Sequence, residues 1–171
     1  MDPRELVALA KRSDCGVFLI DSAWTPPDEP ELWSLPEVAI RTIHGHQCET
    51  EGKVLDHFGE VLGFPDYYGR NWDAFTECVR DHEFTPRVST VLILDRFERL
   101  MQRERRSRHE IFARIMNDVA VGIANSNYAH MPERYQPHLW VFFRCPARAR
   151  WPGYFESAPA VQDLRPAEVP K

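Results

Sequence analysis

Apolar and polar positions follow two rhythms along this chain. Short runs rich in β-branched and aromatic residues stand at Val17 to Ile20, Val38 to Ile43, Val88 to Leu94 and His138 to Phe143, and these predict β-strands. Between the last three the rhythm becomes helical. Val54, Leu55, Phe58, Val61 and Leu62 recur at helical spacing, with Thr50 placed as N-cap and Gly63 as C-terminal stop. A second helix follows Asn71, its predicted N-cap, and carries Ala74, Phe75, Cys78, Val79 and His82 on one stripe. A third carries Ile111, Phe112, Ile115, Val119 and Ile123, and opens with Ser107 and Glu110 at the spacing of a capping box.

The order strand, helix, helix, strand, helix, strand over residues 38–145 predicts an α/β fold with a small parallel sheet, because parallel strands need helical crossovers. Residues 1–37 form an N-terminal extension, a strand followed by an acidic loop holding Pro26, Pro27, Pro30 and Pro36. Residues 146–171 add five prolines and no periodicity, which predicts an irregular tail.

Composition narrows the function classes. With 43% hydrophobic and 27% charged residues the chain should fold around a core. No stretch has the length of apolar residues that a membrane helix requires, and Met1 to Lys11 lacks the order of a signal peptide, so a cytoplasmic protein is expected. Cys15, Cys48, Cys78 and Cys145 are widely spaced and read as reduced, buried thiols. The net charge of −5 points away from nucleic acid as the direct ligand and toward a cationic protein.

The segment Pro65-Asp66-Tyr67-Tyr68-Gly69-Arg70-Asn71-Trp72-Asp73-Ala74 leads turn residues and aromatics straight into a helix N-terminus. If Ala74, Phe75, Cys78 and Val79 face the core, then Trp72, Asp73, Thr76, Glu77 and Arg80 lie on or near the opposite face. Asp73 and Glu77 are then neighbours at i, i+4, a mildly unfavourable pair in the free protein. Two carboxylates beside Tyr67 and Trp72 suit an incoming Arg or Lys. The plain alternative is a solvated face on which Arg80 answers Glu77. From His44 to Glu83 nine acids stand against three bases, a local excess suited to steering a cationic partner.

The run from Leu62 to Phe75, of the form Pro-acid-Tyr-Tyr-Gly-x-Asn-x-Asp-Ala at its centre, resembles the signature of the barstar family, intracellular inhibitors of the secreted ribonuclease barnase. The resemblance extends more weakly over residues 38–145. It implies a three-stranded parallel sheet packed by helices, no cofactor, no metal and no catalytic residue. It further implies a stoichiometric inhibitor, an immunity or antitoxin protein that is monomeric when free and plugs the active site of a ribonuclease. By position, Tyr67, Gly69, Asn71, Asp73, Thr76 and Glu77 inherit the family's binding face, and Trp72 lies within it. Thr76 stands where the founding member has a large aromatic, Glu77 where it has aspartate and Trp72 where it has leucine, so the face is retuned. An acidic residue late in the third helix also contacts the enzyme in that family, and Asn117 or Asp118 falls near that position.

Three rival chemistries are visible. His44, His46 and Cys48 alternate along a strand end and offer zinc ligands without an evident fourth. Cys78 and His82, one turn apart, have the types of a nucleophile and its base, but both lie on the apolar stripe. Seven arginines between Arg96 and Arg114, against three glutamates, offer an RNA-binding segment. The alternative to an inhibitor is thus a barstar-fold adaptor for a protein that is not a ribonuclease, or for RNA.

Overall fold

The computed structural model describes residues 16–23, 38–80, 89–124, 139–146 and 161–163. Among the described residues the strands and α-helices follow in the order β1 (Gly16–Asp21), β2 (Val38–His44), α1 (Glu51–Leu62), α2 (Trp72–Arg80), β3 (Ser89–Asp95), α3 (Arg106–Ala124), β4 (Leu139–Cys145) and β5 (Val161–Asp163), with short 3-10 turns at Gly45–Gln47 and Phe97–Arg99. Most of the Pro-rich loop and of the tail lie outside the described residues, as do Cys15, Asp81, His82 and Glu83.

All strand pairs are parallel, and the sheet runs β2-β3-β4-β1-β5. This corrects the expectation of three strands. The N-terminal strand belongs to the same sheet, lying along β4 with Val17 opposite Val141 and Leu19 opposite Phe143. Its residues Val17 to Ile20 are all buried, and a strand that is apolar on both faces is at home only inside a sheet. The tail is likewise not wholly irregular, since three of its residues pair with β1 as β5. Three residues are too few to show a period.

One face of the sheet, formed by Val17, Leu19, Ile43, Leu92, Leu94, Leu139, Val141 and Phe143, shares a core with Val54, Leu55 and Phe58 of α1, Phe75 and Val79 of α2, and Phe112, Met116 and Val119 of α3. Phe58 joins the three helices, with ring centroids 5.1 Å from Phe75 and 5.9 Å from Phe112. Alternate residues on the other face are equally buried, among them Phe18 and Phe142, stacked at 5.2 Å.

Local chemistry explains the ends of α1. Thr50 accepts the amide of Lys53 at its start, and Gly63 closes it at φ 69°, a conformation a side chain would strain. The Phe64 amide then reaches back to the Gly59 carbonyl at 2.9 Å, a Schellman closure. At the start of α3 the capping-box expectation is corrected. The helix begins at Arg106, one residue before Ser107, and the Glu110 carboxylate meets Arg106 at 3.4 Å instead of reaching back to a cap.

The connections that leave the ends of β2 and β3 are laced together. Met101 and Arg103 donate their amides to the carbonyls of Cys48 and Glu49, and the Glu51 amide donates to Glu104 Oε1 at 3.0 Å. Gly45 lies so close beneath the Arg96 carbonyl that a β-carbon there would collide with it. Arg103 pairs with Glu49 at 3.1 Å and Arg108 with Glu51 at 3.2 Å. Part of the arginine-rich segment therefore neutralises the acidic segment of the same chain.

Candidate functional site

Residues 63–80 build one continuous surface. A turn closes with the Tyr68 amide donating to the Pro65 carbonyl at 2.9 Å, and it leaves Asp66 and Tyr67 outward. Tyr67 is 78% exposed, far more open than Ile111, the other large hydrophobic side chain exposed among the described residues. Tyr68 turns the other way. Its ring packs edge-on against Phe64 at 4.9 Å and over Gly59, where a β-carbon would come within 3.3 Å of it.

Gly69 is exposed, and Arg70 takes a left-handed conformation at φ 48°. From there Arg70 Nε reaches Asp56 Oδ1 of α1 at 3.2 Å, fastening the loop to the helix before it. Asn71 then caps α2 with its side chain: Oδ1 accepts the Ala74 amide at 2.9 Å and Nδ2 donates to the Gly69 carbonyl at 3.3 Å. The loop is thus held at both ends by contacts within the chain itself.

On α2 the structure places Asp73 and Glu77 exposed and one turn apart, as the spacing predicts. Neither carboxylate is in an ion pair among the described residues, and Arg80 does not answer Glu77. Asp73 sits in the first turn of the helix, where the exposed amides favour a negative charge. Thr76 is half-buried, and its hydroxyl donates back to the Trp72 carbonyl at 2.7 Å.

Trp72 departs from the expectation that it faces outward. It is half-buried, with its ring centroid 5.6 Å from Phe75 and 6.1 Å from Phe112. The spacing of Trp72, Phe75 and Val79 is i, i+3, i+7, a core stripe that begins at the first helical residue. From Asp66 to Arg80 the residues that remain outward are Asp66, Tyr67, Gly69, Arg70, Asn71, Asp73, Glu77 and Arg80, with Arg70 turned to Asp56. On α3, Asp118 is exposed and Asn117 is half-buried, with its Oδ1 occluded from solvent.

The zinc set does not assemble. Cys48 is fully buried, and burial pushes its thiol up to about 12. No group of three or more His, Cys, Asp or Glu among the described residues is placed to hold a metal. His44 instead neighbours His57, whose Nε2 accepts the His44 amide at 3.3 Å. Sequence reasoning missed both this contact and the Arg70 to Asp56 pair, which depend on tertiary packing and leave no local pattern. Cys78 is buried on the core side of α2. No helix among the described residues is long and apolar enough to cross a membrane.

Comparison with known proteins adds two findings. Residues 38–143 match the protein family described as barstar (barnase inhibitor). The solved structure of the Aeropyrum pernix ORC2 protein, in its ADPNP-ADP complexes, aligns with a TM-score of 0.56 at 13% identity. That alignment covers 96% of this chain and 46% of the other, so this chain spans less than half of that protein's length, and the likeness is one of fold. No curated protein matches the chain.

Proposed function

The chain belongs to the barstar family, and from that premise we propose that it is a stoichiometric protein inhibitor of a ribonuclease and not an enzyme. The observation that carries the reading is the free carboxylate pair of Asp73 and Glu77 beside exposed Tyr67, on a loop already held by Asn71 and by the Arg70 to Asp56 pair. Ribonuclease active sites are cationic because they bind phosphates. Carboxylates presented on a rigid surface fit such a site and lose little freedom on binding.

In this reading Tyr67 is the aromatic anchor, and Asp73 and Glu77 receive Arg or Lys side chains at the floor of the cleft. Asn71 and Gly69 hold the loop, and Thr76 and Trp72 support it from behind. Asp118 is the carboxylate of α3 free to join. The protein acts as a cytoplasmic monomer, an immunity or antitoxin protein that needs no cofactor. Direct RNA binding is disfavoured, because Arg103, Arg106 and Arg108 are engaged by Glu49, Glu110 and Glu51.

The test is a titration of the purified chain into barnase and into the secreted ribonucleases of the native source, reading RNA hydrolysis. A stoichiometric endpoint at one inhibitor per enzyme, lost in Asp73→Ala, supports the reading. Capture from lysate of a single partner without nuclease activity, with no inhibition of any ribonuclease, would replace it with the adaptor.

A further inference from the structure

The hydrogen bond from the His44 amide to His57 Nε2, at 3.3 Å, fixes the tautomer of His57. Nε2 is an acceptor, so the proton of the neutral ring is on Nδ1. That nitrogen faces Glu60 Oε2 at 3.8 Å. The His57 side chain is only 12% exposed, whereas Glu60 is 83% exposed and its charge is screened by water. The His44 ring, at the end of β2, has its centroid 6.1 Å from that of His57, and the His46 ring in the next turn lies 5.6 Å from that of His44. His44 Nδ1 lies 3.9 Å from Asp95 Oδ2 at the end of β3, and Arg144 of β4 already holds Asp95 at 2.7 and 2.8 Å. The charged groups around His57 are therefore one screened carboxylate on its own helix, two imidazoles, and a more distant carboxylate matched by an arginine.

A second proton on His57 is poorly accommodated. Nε2 would change from acceptor to donor and oppose the His44 N–H. Burial and positive charge on His44 and His46 disfavour a charged ring more than Glu60 favours it, which holds His57 below its ordinary range. Acid therefore breaks the contact between α1 and the end of β2.

The loop of the acidic face is fastened to α1. Asp56, next to His57, holds Arg70. Phe58 packs on Phe75 of α2, and Gly59 underlies Tyr68. We infer that the His44 to His57 hydrogen bond is a pH-sensitive latch, closed at neutral pH and opened by acid, which sets the order of loop 65–71 and with it the affinity of the acidic face for a cationic partner. Only the last step rests on the inhibitor reading, since the coupling of latch to loop is a property of the free chain.

The experiment follows the backbone amides of the full chain and the His57 ring by NMR from pH 8 to 5, in the parent, in His57→Gln and in Glu60→Gln, with barnase as the binding probe. In the parent, the Tyr67, Gly69 and Asp73 amides should shift with the His57 titration. His57→Gln keeps an oxygen that accepts from His44 but does not titrate, so its loop amides should stay level. Glu60→Gln removes the carboxylate that favours a charged ring and should move the transition to lower pH. It carries the test alone if His57→Gln fails to fold. Barnase affinity of the parent should fall, relative to His57→Gln, by up to about tenfold per pH unit below the midpoint, as one coupled proton requires. Loop amides that ignore the His57 ring, or that shift identically in all three proteins, overturn the latch. If barnase does not bind even at pH 8, the inhibitor reading fails for that enzyme, and the NMR series still decides the latch.

Discussion

The Asn71 side chain accepts the amide of Ala74 at 2.9 Å, so the residue that ends the surface loop also starts the helix bearing the acidic pair. Asn71→Ala removes this cap together with the bond to Gly69, and should lower stability by about 0.5–2 kcal/mol. Asn71→Asp keeps the acceptor and adds charge at the helix start, so its loss should be smaller. Urea denaturation of the two variants checks the order.

Asp73 and Glu77 separate binding from folding. If the inhibitor reading holds, either one changed to alanine leaves a desolvated cation in the partner's cleft, and binding should weaken by about 2–5 kcal/mol. Their removal relieves a like-charge pair, so the melting temperature should hold or rise slightly. Phe75→Ala should do the reverse, costing about 3–5 kcal/mol of stability from a fully buried site. Calorimetry against the partner, beside thermal melts, distinguishes the two classes. Carboxylate variants that bind like the parent would remove the acidic pair from the interface.

Trp72 should behave as a core residue. Trp72→Ala is expected to cost about 2–3 kcal/mol of stability, less than a fully enclosed aromatic because the ring is half-buried. An unchanged melting temperature with lost binding would return Trp72 to the partner-facing surface.

The contrast between Trp72 and Asn71 shows what the sequence makes legible. Caps such as Thr50, Gly63 and Asn71 act within four residues, so their chemistry is visible locally, and the same holds for the core stripe of α1. Spacing places Trp72 outward, against the structure, because at the first turn of a helix a residue has no preceding turn to complete its stripe. Ser107 and Glu110 had the spacing of a capping box, but Arg106 offered Glu110 a charged partner one turn away. The exposed acids of the candidate face were legible from helical spacing. Their lack of internal partners was not, since it depends on which arginines the fold brings near Glu49 and Glu51.

Stability should fall on both sides of neutrality, for separate reasons. His57 is held below its ordinary range, so the unfolded chain binds its proton first, and stability is lost as pH falls below about 6.5. Cys48 is pushed from 9.0 up to about 12, so the unfolded chain loses its proton first, and stability is lost as pH rises above 9.0. Cys48 should accordingly resist iodoacetamide at pH 8 in the folded protein and react once urea unfolds it. His57→Gln should flatten the acid limb alone in a series of denaturation midpoints against pH.

A fragment of residues 38–145 should not fold as the full chain does. Removing β1 leaves β4 with an unpaired edge and uncovers side chains that Val17 to Ile20 bury. The expected outcome is aggregation on size-exclusion chromatography, with no cooperative melt. A soluble fragment with the full-length melting temperature would make the N-terminal strand dispensable.

The pairing of Gly16 with Trp140 also bears on the order of events during synthesis. Contacts this remote in the chain raise contact order and slow folding, because loop entropy is lost before the contact forms. On the ribosome, β1 emerges long before both of its partner strands, β4 and β5. Residues 38–95 meanwhile contain a complete strand pair with α1 and α2 between, including the loop and the acidic helix. The proposed partner face is encoded in a stretch whose two strands can pair early, while β1 waits for β4 to be synthesised before it can take its place in the sheet.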